Sequence, residues 1–136
     1  MAEDRSRTLL NKAFEELETL DVLLLQEGVA TWIFGFHAQQ VAEKSLKAVL
    51  FLNGQSPPER THDLVRLFQR LLDSGTRPPD WVPELSELTS FAVELRYETD
   101  DPEEDLDRRQ TRDLVVRIYN WAASIAGRGG TRSSLP

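Results

Sequence analysis

The chain has 136 residues, 40% of them hydrophobic and 29% charged, with a formal net charge of −7 and no cysteine. That length and apolar content suit one domain with one continuous core, and the lack of cysteine excludes disulfides, thiolate zinc sites and a cysteine nucleophile. No apolar run approaches the roughly 20 residues that span a bilayer. Met1-Ala2-Glu3-Asp4-Arg5 is too charged for a targeting signal, so a cytoplasmic protein away from membranes is expected.

The first amphipathic stretch runs from about Arg5 to Gln26, with Leu10, Ala13, Phe14, Leu17, Leu20 and Leu24 recurring at the helical period, and Gly28 ends it. A second helix is predicted from about Ala30 to Leu52, stopping at Asn53-Gly54, with Phe34, Ala38, Val41, Ala42, Val49 and Leu52 facing the core. Ser56-Pro57-Pro58-Glu59 is a stiff connection. Thr61 is the expected N-cap of a short third helix, with Asp63 in its first turn and Leu64, Leu67, Phe68, Leu71 and Leu72 as its stripe.

A fourth helix is predicted to begin between Asp80 and Pro83, to run through Leu85, Leu88, Phe91, Ala92 and Leu95, and to fade near Tyr97 to Thr99. Asp101-Pro102 reads as a restart, a capping Asp with Pro at the first helical position. The last helix is predicted to bury Leu114, Val115, Ile118, Trp121, Ala122 and Ile125 before Gly127. Residues 1–127 then form one domain, and 128–136, rich in Gly, Ser, Thr and Arg, a disordered tail. No segment alternates with a period of two. The expected fold is all-α, an up-and-down bundle of four to five helices.

The net charge is concentrated. Glu98, Asp100, Asp101, Glu103, Glu104, Asp105 and Asp107 form an acidic run; taking these seven from the 23 acidic residues leaves 16, against 16 basic ones. The run fits a solvated loop that favours the positive end of the following helix, and it lacks the spacing and central Gly of a calcium loop. With no uniformly basic footprint, any RNA contact would use a local patch.

The second helix carries polar side chains where a buried helix normally has none. His37, Gln40 and Lys44 are spaced i, i+3, i+7 and fall on one line, which Ile33 and Phe51 extend with apolar residues. Such a strip points to a groove or a subunit contact. His37 suits either an imidazole bonded to a neighbouring helix or a contact in a ligand or RNA groove. Lys44 and Lys47 also fit side chains that snorkel at the bundle edge. Glu43 lies on a different face, suited to an arginine from a facing helix, and Arg96 is its natural partner.

Arg60 and His62 flank the start of the third helix, with Arg66 and Arg70 following. This is a solvated cationic face, or an anion site in which backbone N–H groups join Arg and His, with Arg77 adding to the field. A di-iron bundle needs two Glu-x-x-His pairs. Only Glu59 and His62 match, so no metal is expected; nor is a cofactor, since phosphate loops, dinucleotide fingerprints and HExxH are absent.

The run from Phe36 to Leu50, followed by Arg60-Thr61-His62-Asp63-Leu64 and later Leu95-Arg96-Tyr97, resembles the HEPN family of small prokaryotic helical domains, over about Arg5 to Ala126. The resemblance implies a helical bundle that commonly forms homodimers. Members are often encoded beside a small nucleotidyltransferase partner and act in toxin–antitoxin or defence systems. Catalytic members of the wider family are metal-independent ribonucleases with an Arg followed four to six residues later by a His. There the imidazole moves protons at the ribose 2′-OH and the guanidinium stabilises the phosphorane. In this chain Arg60 and His62 are separated by one residue, Arg96 has no histidine after it, and His37 has no Arg at the required distance before it.

Two function classes follow. The favoured one is a non-catalytic binding module, a homodimer that engages a nucleotidyltransferase partner, a nucleotide or RNA through His37, Gln40, Lys44, Arg60, His62, Arg96 and Tyr97. The other is a ribonuclease toxin with an atypical set: His37, Lys44, Arg60, His62 and Arg96. A homodimer is expected because Trp32, Ile33, Phe36 and Phe51 give the second helix apolar surface beyond its core stripe.

Overall fold

The structure, a computed structural model, describes residues 2–57, 61–92 and 106–127. Within them lie five helices and no strand: α1 (Ala2–Leu24), α2 (Thr31–Leu52), α3 (Leu64–Asp73), α4 (Val82–Thr89) and α5 (Arg108–Ile125). The all-α bundle is therefore as expected. Arg60, Arg96, Tyr97, the restart at Asp101-Pro102 and the 128–136 tail lie outside the described residues.

Helix ends follow local chemistry more than apolar spacing. α1 begins earlier than its stripe requires, because Glu3 and Asp4 place carboxylates in its first turn against unpaired N–H groups. Asp63, not Thr61, caps α3: its Oδ1 accepts from the N–H groups of Val65 at 3.1 Å and Arg66 at 3.2 Å. That register turns Leu64, Leu67 and Leu71 into the core. α4 ends at Thr89, short of the predicted reach, where the Ser90 hydroxyl donates to the Glu87 carbonyl at 2.8 Å. Phe91 and Ala92 are buried beyond it as a turn. α5 is capped by Asp107, which accepts from the Gln110 N–H at 3.0 Å.

α2 is the axis of the bundle and touches each of the other four helices. Its Phe34, Ala38, Val41, Ala42, Leu46, Val49 and Leu50 are fully buried, with Leu10, Ala13, Leu17 and Leu20 of α1 against them. Leu46 and Leu50 are buried because α2 has neighbours on more than one side. Phe14, Leu24, Leu52, Leu72 and Trp121 are half-buried at the margins instead of fully inside. Ile125 is 42% exposed, contrary to expectation. It closes α5 at the open end of the bundle, beside a cleft it shares with Glu3 and Leu52.

Cross-contacts set the directions. The Arg5 guanidinium lies 5.5 Å from the Phe51 ring centre, so α1 and α2 run antiparallel. Arg112 of α5 donates to Asp21 near the end of α1 at 2.9 Å, and Phe14 meets Tyr119 at 5.9 Å, so α5 runs antiparallel to α1. Arg108 donates to the Val29 carbonyl at 2.6 Å and holds α5 at the start of α2. After Gly54, whose φ of +75° is open to glycine at little steric cost, the chain doubles back. α3 therefore enters beside the middle of α2 and leaves beside its end, where Asn53 donates to Ser74 and Thr76. Gly35 permits a close approach, since a Cβ there would sit 2.4 Å from the Phe91 ring.

Candidate functional site: the polar faces of α2

Two carboxylates organise the polar side chains of α2. The first, Glu16, comes from α1, on the inner edge of the stripe formed by Ala13, Leu17 and Leu20. Its Oε2 accepts from His37 Nδ1 at 2.5 Å and its Oε1 from Lys44 Nζ at 3.3 Å. Seven residues make about two helical turns, so His37 and Lys44 stack on one face and reach the same carboxylate. Side chains of all three are 19–27% exposed, at the boundary between core and solvent.

The second, Glu43, lies on α2 itself with its side chain 7% exposed. Gln39, Glu43 and Lys47 follow one another at i, i+4 steps. Glu43 Oε1 accepts from Gln39 Nε2 at 3.0 Å and from His62 Nδ1 at 2.8 Å, and Oε2 accepts from Lys47 Nζ at 3.0 Å. Gln39 also donates to the His62 carbonyl at 3.1 Å and accepts from Gln40 Nε2 at 2.7 Å. His62 is thus held at ring and main chain, which anchors the entry of α3 to α2.

Burial alone would push the Glu43 carboxyl up. The hydrogen bonds from Gln39, His62 and Lys47, together with the Lys47 charge, outweigh it, so its pKa lies below the ordinary 4.5. An ionised carboxylate can only accept. When neutral, the His62 imidazole therefore carries its proton on Nδ1.

The start of α3 offers an anion little. Its Val65 and Arg66 N–H groups are taken by Asp63, and its Leu64 N–H by the Thr89 hydroxyl at 3.0 Å. Arg70 turns back to the Ser56 carbonyl at 3.1 Å, while Arg66 and Arg77 are exposed. An anion would have to displace Asp63, a carboxylate already in the place it would occupy.

The structure brings His37 and Lys44 together around Glu16, and sets Gln40 against Gln39 and His62 against Glu43. Arg96, the partner expected for Glu43, lies outside the described residues. Glu16 and Gln39 did not emerge from the strip alone. Their signals were a carboxylate on the inner edge of an apolar stripe and an amide i−4 to a buried glutamate. Among the described residues no group of three or more His, Asp or Glu could hold a metal ion, and no helix is long and apolar enough to cross a membrane.

A family model described as the HEPN domain matches residues 6–125 of the chain. No curated protein and no solved structure matches it.

Proposed function

The chain belongs to the HEPN domain family, and within it we propose a non-catalytic recognition module, a homodimer that engages a nucleotidyltransferase partner, a nucleotide or RNA in a toxin–antitoxin or defence setting. One observation carries the reading: both histidines of the chain are tied by Nδ1 to a carboxylate that also holds a lysine. A cleaving pair would instead aim an imidazole and a guanidinium at one phosphate. The absence of an Arg with a His four to six residues after it points the same way. Trp32, 42% exposed at the start of α2, supplies apolar surface for a second copy.

The test is co-expression with the neighbouring gene product and the activity of the purified protein on RNA. The recognition reading expects intact RNA, co-elution with a nucleotidyltransferase and a dimer by light scattering at micromolar concentration. RNA cleavage by the purified protein would overturn it.

The second reading is a ribonuclease with an atypical centre, favoured by the two-point hold on His62. A buried, ionised glutamate on Nδ1 orients the imidazole, as a general acid–base requires. Growth arrest on induction, relieved by His62→Ala and His37→Ala, would establish that reading in place of the first.

A further inference from the structure

Between α4 and α5 lies a cleft of about 520 Å³, within the range of roughly 300–1,000 Å³ typical of small-ligand sites. Its apolar side is formed by Leu88, Leu106 and Leu114 at the edge of the core. Glu84 and Glu87 of α4 face Asp107 and Asp113 of α5 across it, and the one cation among its lining residues is Arg117, a net of −3.

What sets this cleft apart is how little of its polar chemistry is used. Glu84, Glu87 and Arg117 are exposed and make no ion pair among the described residues. Asp107 spends one oxygen on the Gln110 N–H, and Asp113 meets Arg112 only at 3.5 Å. Thr111 lines the same cleft at 9% exposure, and its hydroxyl has no hydrogen-bond partner among the described residues. Among the described residues the fully buried side-chain atoms without a partner are Ser6 Oγ and Ser45 Oγ, so the Thr111 oxygen opens into the cleft, where a ligand donor can take the place of water.

From this arrangement we infer that the α4–α5 cleft binds a linear aliphatic polyamine, with its methylene chain along Leu88, Leu106 and Leu114 and its ammonium groups at the carboxylates and Thr111. Ammonium groups only donate, and the carboxylates and the Thr111 hydroxyl oxygen accept. Methylenes between them lose water against the leucines. A hydrated divalent ion would leave that apolar side unused, and the carboxylates do not gather into a metal-holding group. A phosphate-bearing ligand would meet the net negative rim. The site is separate from the α2 networks and independent of the function proposed above.

The experiment is titration of the full chain with spermidine at about 0.1 M salt, where long-range attraction to a −7 protein is largely screened. Amide chemical shifts and calorimetry report the binding. Expected are saturation at one site, shifts centred on α4 and the first turns of α5, and little competition from magnesium chloride at equal ionic strength. The double variant Glu84→Gln with Glu87→Gln, both exposed and outside the core, is expected to weaken binding about ten-fold. Thr111→Val, nearly isosteric, is expected to weaken it by a factor of a few. Absence of saturation, unchanged affinity in the double variant, or equal affinity for the single ammonium of acetyl-lysine amide would each overturn the assignment.

Discussion

Glu43 and Glu84 are helical glutamates of one small bundle, and their surroundings are opposite. Glu43 is 7% exposed and receives three side chains, so its charge is consumed by the fold. Glu84 is exposed on the rim of a cleft, with no ion-pair partner among the described residues. Glu16 behaves like Glu43, and Glu87 like Glu84. The contrast separates two uses of charge. On α2, polar groups are buried and must be paired, so they hold helices in register. Between α4 and α5, polar groups keep their solvent and remain open to a ligand.

The largest consequence of this contrast is expected at Glu43. Glu43→Ala strands the Lys47 ammonium and removes the acceptor of His62 and Gln39, and is expected to cost about 3–5 kcal/mol in urea unfolding. A loss below about 1 kcal/mol would mean that the network is ornamental and would erase the distinction. Glu16→Ala removes a boundary carboxylate with two donors, for which a loss of about 1–2 kcal/mol is expected. Glu16 is the intermediate case, since its partners can turn to water.

pH sharpens the comparison. The Glu43 pKa is depressed in the folded protein, so the unfolded chain binds its proton more readily as pH falls. Its stabilisation is therefore complete above the ordinary 4.5 and is lost as pH drops through the lower folded value. The stability gap between the native protein and Glu43→Gln is expected to be widest near neutrality and to close as pH falls below the ordinary 4.5. A gap that widened on acidification would reverse the sign and refute the account. At the small end, Glu84→Gln with Glu87→Gln is expected to move stability by no more than about 0.5 kcal/mol, measured by the same unfolding curves. A larger loss would place the cleft carboxylates among the structural ones.

Much of the bundle was legible in the chain. Leu10, Ala13, Leu17 and Leu20 declared the buried face of α1 by period alone, and Asn53-Gly54 declared the end of α2. The margins were not. Ile125 reads as core by spacing, but it is the last residue of its helix beside an open cleft. Thr61 and Asp63 are both competent caps, and the packing of Leu64 and Leu67 chose between them. The strip of His37, Gln40 and Lys44 was visible as a line, while its counter-charge was not, because Glu16 is 28 residues from Lys44.

Local pattern determined that the chain is helical, where most helices begin and end, and which residues of α1, α2 and α3 are apolar enough to be buried. These properties depend on neighbours within a turn or two. Tertiary structure decided which carboxylate meets which cation, that His62 returns to Glu43, and that Thr111, itself nearly buried, lines the cleft between α4 and α5. Such pairings depend on helices converging from distant parts of the chain, and a charge is paired or open only by what packs beside it.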